Sequence, residues 1–600
     1  MAAVLEPAHP TDVPQGGAFL FHPPGSTRIS TPETFTEEQR LLQKTGLQFC
    51  KEQVLPRSAA IESKEPGLLP SLLRQAGELG LLMIDIPEAY GGLGGDKTTS
   101  LLAAECNSLM GAWSVTFAAH TGIGTLPIVW YGTPTQKAKW LPKLATGELV
   151  AAYALTEPGS GSDALGAKTR AVKSADGKSW LLTGSKLYIT NAAFADVFIV
   201  FAKVDAEKFT AFVVEKGTPG LTVGPEEHKM GIRGSSTCPL FLEEARIPVE
   251  NLLGEVGKGH KIAFNILNLG RLKLGAAVLG GMKLQLGSAL RFAQERKQFR
   301  TPVAQFPLLR EKFARMAASI YAIETMTYRT TGLIDAVLAG QKGPGDDPGP
   351  TIAAIEEFAV EASILKVMGS EGLGVLVDDA VQIHGGAGFI QEYPVERAYR
   401  DARINRIFEG TNEINRMLVT GMLLKRAVKG ELQLFSAAEE AERMLSAKQL
   451  PVPSGSDTVA EAAADAQALK LAALACLKVA AERFGPQIDQ HQEVLAAIAD
   501  VVMDAYAVDS MVARTRQAAS AEGLDPVRVA MTRAWTADAM ARSGERARRA
   551  LCASSEGPAL EAQLGRIAPL FAFRPFDPAA LRETIVRAAE TAGGYPLGPV

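Results

Sequence analysis

Six hundred residues, 47% apolar and 21% charged, describe a globular chain with length for about four domains and more than one buried core. Lys+Arg number 62 against 66 Asp+Glu, a formal charge of −4 with no dense basic block, which argues against nucleic-acid binding through a positive field. No uninterrupted apolar run reaches about 18 residues, which argues against a spanning helix. The five scattered cysteines (Cys50, Cys106, Cys238, Cys476, Cys552) form no pair or Cys/His cluster that would hold a metal.

Residues 1–30 carry neither the positive region plus apolar core of a secretion signal nor the Arg-rich, acid-poor pattern of a transit peptide. Their Pro and Gly content predicts an extended arm, and the expectation is a cytoplasmic protein, with a peripheral membrane contact left open. A helical domain is expected over 31–149. Within it, 34–51 opens on Thr and acidic residues like a helix start, and 68–82 is apolar-periodic. EAYGGLGGD at 88–96 reads as a Gly-rich loop, and 97–131 as one or two buried, Ala-rich helices. The period changes near Leu149. Short β-rich segments at 153–155, 180–183, 197–202 and 210–214, separated by turns such as SADGKSW and KGTPG, predict a β-domain over 150–257. Helical periodicity returns over 258–430, clearest at 267–297 and 306–338, with the polar loop QKGPGDDPGP at 341–350. LPVPSGS at 450–456 has linker composition. The region 431–600 reads as a further helical domain, in which Leu495, Ile498, Val502, Ala505 and Tyr506 share one helical face. The fold class read from this order is mainly α with an inserted β-domain.

Chemistry concentrates in a few strings. YALTEPGSGSD at 153–163 closes an apolar strand with a turn in which Thr156 and Ser162 supply donors and Gly159 and Gly161 admit close backbone approach. Alone, such a turn is better read as an ordinary β-turn. RIFEGTNEI at 406–414 offers two acids, and spacing does not choose between Glu409 and Glu413, since either suits a helix start. Between them stand KLYITN (186–191), KMGIR (229–233), ERKQF (295–299), VQIHGGAGF (381–389) and YPVERAYRD (393–401). His384 reads as a packed, hydrogen-bonded histidine.

These seven strings, in this order, resemble the acyl-CoA dehydrogenases over about residues 34–426. The resemblance implies a helical N-terminal domain, a barrel-like β-domain and a four-helix domain, and FAD as cofactor. Tyr153, Leu155, Thr156, Gly161 and Ser162 would line the flavin, with Tyr188, Ile189 and Thr190 on its other side. Many members have Trp where this chain has Tyr188. Arg296, Gln298 and Phe299, with Gln382, Gly385 and Gly386, would reach the flavin of a second subunit, which implies a homodimer. Arg300 stands where many members have Gly, so an altered bend is expected there. Thr411 and Asn412 would cap a helix and touch flavin. Ser162, Asn268, Arg271 and Gly410 would lie on the substrate side.

Between the two acids the resemblance selects Glu409. It would remove the proton α to the thioester while the β-hydrogen leaves as hydride to flavin N5, converting a saturated acyl-CoA to the trans-2-enoyl-CoA. A minority of the family places the base on the helix holding Asn268–Arg271, where this chain has Gly270. Electrons would pass to an electron-transfer flavoprotein. An acyl-CoA oxidase using oxygen and a non-catalytic scaffold relative are the alternatives. The segment 114–124 resembles the floor of the acyl pocket. Small Ala118 and Ala119 leave room for a long chain, at about 0.8 kcal/mol per buried CH₂. The last ~170 residues resemble the extension of the very-long-chain branch, including the terminal GGYPLG. There the extension packs on a dimeric core and assists membrane association. The acids within 431–450 suit an anionic bilayer poorly, so packing and dimer support are the expectation.

Overall fold

The computed structural model describes residues 13–340, 347–453 and 458–599. Its first helical layer holds α1 (Glu37–Phe49), α2 (Leu68–Glu78), α3 (Lys97–Cys106), α4 (Gly111–Ala118) and α5 (Pro134–Ala145). Thr36 with Gln39 at α1, and Thr133 with Gln136 at α5, form reciprocal capping boxes that satisfy otherwise orphaned N–H groups. The stretch 97–131, expected as one or two helices, is three, since Leu126–Tyr131 is separate from α3 and α4. Asn107 makes the first break. Its amide donates back to Ala103 O at 3.0 Å and its Oδ1 accepts the Trp113 indole at 3.1 Å. The second break is a π-turn over Ala119–Gly124 that ends at a helix carrying Pro127 in its first turn.

The middle of the chain is one eight-stranded sheet. Its strands are β1 (Ala151–Ala154), β2 (Arg170–Lys173), β3 (Ser179–Thr190), β4 (Val197–Val204), β5 (Lys208–Glu215), β6 (Leu221–Val223), β7 (Thr237–Pro248) and β8 (Leu252–Leu253). The order is β6-β7-β3-β2-β4-β5-β8, with β1 parallel to β4. Alternation in β4 is apolar on both faces. Val197, Ile199 and Phe201 join the large core shared with the helices, while Phe198, Val200 and Ala202 join a second core inside the β-domain. The edge strand β6 and the short, charged β2 escaped sequence reading, because pairing with neighbours rather than apolar alternation holds them.

The second helical layer holds α6 (Gly259–Glu295), α7 (Pro307–Ala339), α8 (Ala359–His384), α9 (Pro394–Ala402) and α10 (Asn412–Val428). By length and composition α6 could cross a bilayer, but 78% of its apolar window is buried inside the protein. The extension adds α11 (Leu434–Ser446), α12 (Thr458–Phe484), α13 (Gln492–Glu522), α14 (Pro526–Ser554) and α15 (Pro578–Ala592). Leu495, Ile498, Val502, Ala505 and Tyr506 are all buried on α13, which packs against α7 and α10.

Both ends of the described chain are sewn into this layer. Gly17 N–H donates to Glu361 at 2.7 Å, Gly25 N–H to Asp509 at 2.9 Å, and Phe19 lies 4.7 Å from the Tyr506 ring. Near the other end, Tyr595 donates to buried Glu324 at 3.0 Å, and Glu324 also pairs with Lys283 and Arg514. The arm expected over 1–30 is therefore packed from residue 13 on. Residues 1–12, and parts of the loop at 341–350 and the linker at 450–456, lie outside the described residues.

Candidate active site

The ends of β1 and β3 meet, and a buried ion pair sets the loop between them. Lys186 reaches Glu157 at 2.6 Å and Leu155 O at 3.3 Å. Glu157 also accepts the Lys168 and Thr169 N–H groups at 2.6 and 3.1 Å. Burial pulls the Lys186 ammonium down to about 8 against the pull of Glu157. Tied from beneath, the loop turns Gly159, Gly161 and Ser162 outward, and a Cβ at either glycine would meet nothing within 4 Å. Leu155 is buried and Thr156 half-buried; Thr156 O accepts Leu187 N–H at 2.9 Å.

A register shift between Lys186 and Ile189 bulges β3. Tyr188 there has φ +60° and is 62% exposed, Ile189 points into the core, and Thr190 is half-buried. Asn191 anchors the strand end by donating to Thr116 O on α4 at 3.0 Å.

Glu409 precedes α10 in an uncommon backbone. Its φ is +59° and that of Gly410 is +79°. For a non-glycine residue the left-handed region costs about 1–2 kcal/mol, so neighbours must enforce it. Asn415 does so by donating to Gly410 O at 2.9 Å and Thr411 O at 3.0 Å. Arg271 donates to Glu409 O at 3.4 Å and to Asn268 Oδ1 at 2.8 Å. Thr411 caps α10 through Ile414 N–H. The carboxylate rests against α6: a Cβ at Gly270 would lie 2.4 Å from Glu409 Oε2. Among the described residues that buried oxygen has no hydrogen-bond partner, and neither has the buried Tyr153 hydroxyl, whose acidity is weakened by burial and by the Glu409 charge. Burial raises the Glu409 pKa to about 7, opposed by Arg271 and then Lys366. Glu413 is exposed, and its own helix-cap hydrogen bonds lower its pKa. Burial therefore separates two acids that spacing did not.

Tyr153, the 155–162 loop, residues 188–190, Asn268, Arg271 and 409–411 thus converge around one region. Asn412, read as a flavin contact, has its side chain occupied elsewhere: it accepts from Lys366 at 2.7 Å and donates to Glu371 at 2.9 Å. Lys366 was missed by sequence reading. A lone lysine in the apolar run SILKVMG was the available signal.

A second cluster lies apart. Arg296 follows Arg271 by 25 positions at the end of continuous α6, roughly 37 Å at 1.5 Å per residue. Arg296, Gln298 and Phe299 are exposed there, Phe299 to 90%. Exposed Gln382, Gly385 and Gly386 sit nearby, where His384 stacks on Phe292 at 4.3 Å and bonds Ala380 O. The hairpin β9 (Lys297–Gln298) and β10 (Thr301–Pro302) turns through Phe299 and Arg300, at φ +50° and +64°. Arg300 holds a left-handed backbone at this bend, with strain. Arg300→Gly should stabilise the tip by about 0.5–1 kcal/mol, the left-handed penalty exceeding the entropy cost of glycine. A raised thermal midpoint would show it; an unchanged or lowered midpoint would refute the strain.

Family models described as the N-terminal, middle and C-terminal domains of acyl-CoA dehydrogenase match residues 36–148, 152–245 and 257–424. A further model of the same C-terminal description matches 468–568. A Bacillus subtilis "Probable acyl-CoA dehydrogenase" is 48% identical over 567 residues, 94% of this chain and 95% of that one. The chain belongs to the acyl-CoA dehydrogenase family. The solved acyl-CoA dehydrogenase of Bacillus anthracis, complexed with FAD, superposes on this acyl-CoA dehydrogenase with a TM-score of 0.94 at 45% identity, covering 97% of this chain and all of that one. The human mitochondrial very long-chain specific enzyme is 40% identical over 411 residues, 65% of this acyl-CoA dehydrogenase and 60% of the human protein.

Proposed function

We propose that this acyl-CoA dehydrogenase binds FAD and converts a long-chain fatty acyl-CoA to its trans-2-enoyl-CoA, with Glu409 as the α-base. The observation that carries this is the buried Glu409 carboxyl, one oxygen unpartnered, with a pKa near 7. A group poised there is deprotonated enough to act, yet basic enough to take a proton from carbon.

The residues suit the cofactor. The unpartnered Tyr153 hydroxyl, the outward glycines and the stand-off Tyr188 ring border a region fit for a large planar group with a polar edge. When bound, FAD supplies the acceptor for the β-hydrogen and its electron pair. The chain's own residues do the rest. Glu409 Oε2 takes the α-proton. Among the described residues the Glu409 N–H makes no hydrogen bond, so it is free to donate to a thioester oxygen as charge develops there. Arg271 fixes the carbonyl of the same residue, which keeps base and N–H in one rigid turn.

A long-chain preference is supported by α4. Ser114, Val115 and Ala118 form a half-buried stripe on α4, and the π-turn begins at Ala119. The exposed cluster at 296–299 and 382–386, at the end of α6 away from Arg271, supports a homodimer in which each chain completes the other's cofactor site. Electrons would leave to an electron-transfer flavoprotein. Leu434, Ala438, Ala441 and Leu445 of α11 are buried, which favours packing over membrane contact for that helix.

The test is anaerobic titration with acyl-CoAs of increasing length, following flavin absorbance. Bleaching should be fastest with long chains. No bleaching at any length would overturn the catalytic reading, and a short-chain optimum would overturn the pocket reading. Rapid reoxidation in air with stoichiometric peroxide would instead indicate an oxidase.

A further inference from the structure

Beneath the Glu409 turn runs a chain of polar side chains that reaches out of the core into the extension. Fully buried Lys366, on α8, donates to Asn412 Oδ1 at 2.7 Å, and Ser370 braces the same amide. Asn412 Nδ2 donates to Glu371 at 2.9 Å. Arg416, one turn along α10, grips both Glu371 oxygens at 2.8 and 3.0 Å. Its Nε donates to Asp500 of α13 at 2.7 Å, and Asp500 also meets Arg546 of α14 at 3.2 Å.

The charges along this path are unevenly compensated. Glu371, Arg416, Asp500 and Arg546 neutralise one another. Lys366 has a neutral amide as its hydrogen-bond acceptor, and among the described residues it joins no ion pair. Burial draws the Lys366 pKa down to about 8, and among the charges that act on it the Glu409 carboxylate, which opposes this, is the strongest, followed by Arg271, Glu413 and Glu371. Facing Glu409 itself are Tyr153 from β1, Arg271 from α6 and Lys366 from α8. A buried ammonium with no bonded counter-ion keeps its field for the carboxylates around it.

We propose that Lys366 is a positioning residue for proton abstraction: its ammonium, aimed by Asn412, stabilises the Glu409 carboxylate against protonation, and Asp500 of the extension holds that aim through Arg416 and Glu371. The proposal rests on the reading of Glu409 as base. It makes the extension a contributor to the electrostatics of the site as well as a packing partner.

The experiment compares Lys366→Met, Lys366→Arg, Asn412→Asp and Asp500→Asn in the flavin-loaded full chain. Two readouts are needed: the acidic limb of kcat/KM against pH, and the infrared carboxyl band of Glu409, assigned by its loss in Glu409→Gln. Lys366→Met should move both titrations up by about one pH unit or more and lower kcat/KM at pH 7 about tenfold. Lys366→Arg should restore most of the position. Asn412→Asp keeps the shape but gives the ammonium a charged partner, so it should move the titrations the same way by less. It carries the test if Lys366→Met fails to fold. Asp500→Asn should give a smaller upward shift. Unmoved titrations in folded Lys366→Met, or in Asn412→Asp where the former does not fold, would overturn the role of Lys366. An unmoved Asp500→Asn would overturn the role of the extension. Should Glu409→Gln prove active, the base reading fails, while the infrared titration of Glu409 still reports on Lys366.

Discussion

Glu409→Gln is expected to slow flavin reduction by acyl-CoA about 10²–10⁴-fold or more, the usual contribution of a positioned base, with the flavin still bound. Gln fills the same volume but cannot take a proton. In the unaltered chain the rate should rise with pH through about 7, as the buried carboxyl ionises. Stability moves the opposite way. Glu409 is raised from 4.5 to about 7 by folding, so the folded state binds the proton more tightly than the unfolded one. Its favourable contribution is full below pH 4.5 and is lost as pH rises to about 7. Two and a half units correspond to about 3 kcal/mol as an upper bound. Glu409→Gln carries no such charge, so its thermal midpoint should overtake that of the unaltered chain between pH 5 and pH 8. Bleaching at the original rate, or midpoints that keep a constant difference across that range, would show that Glu409 is not the desolvated base.

Gly270→Ala is expected to cost about 10²-fold in kcat/KM, although it adds one methyl group far from 409 in sequence. The new Cβ would lie 2.4 Å from Glu409 Oε2, and the carboxylate must move by about 1 Å to escape it. A displacement of that size costs about 10²-fold where geometry is set for proton transfer. The same closeness predicts a rescue. Gly270→Glu combined with Glu409→Gly delivers a carboxylate from α6 to the same space, and glycine at 409 also removes the left-handed strain of about 1–2 kcal/mol. The double variant should bleach with acyl-CoA, while Glu409→Gly alone should not. Wild-type activity in Gly270→Ala would mean that the carboxylate does not rest on α6 during catalysis.

Much of this enzyme was legible before any coordinates, for physical reasons that differ element by element. The start of α1 was readable because Thr36 acts on an N–H group three residues away. β4 and β5 were readable because burial on both faces demands continuous apolar residues. β2 was not readable, since Arg170–Lys173 is held by partners at 180–183 and 203–204. The division of 97–131 into three helices was missed because its first break depends on Asn107 bonding both backward to Ala103 and forward to Trp113, and its second on the π-turn over Ala119–Gly124.

The chain's own order of residues determined the succession of domains and the chemical types available at the site, since caps, turns and motif strings act within a few residues. Only the tertiary structure decided which of two neighbouring acids is desolvated, that Gly270 makes room for it, that a lysine 43 positions upstream of it lies within range of its charge, and that the hairpin at Arg296 stands at the far end of α6. Desolvation and electric field depend on distance through packed matter, and packing brings together residues whose separation along the chain carries no trace of it.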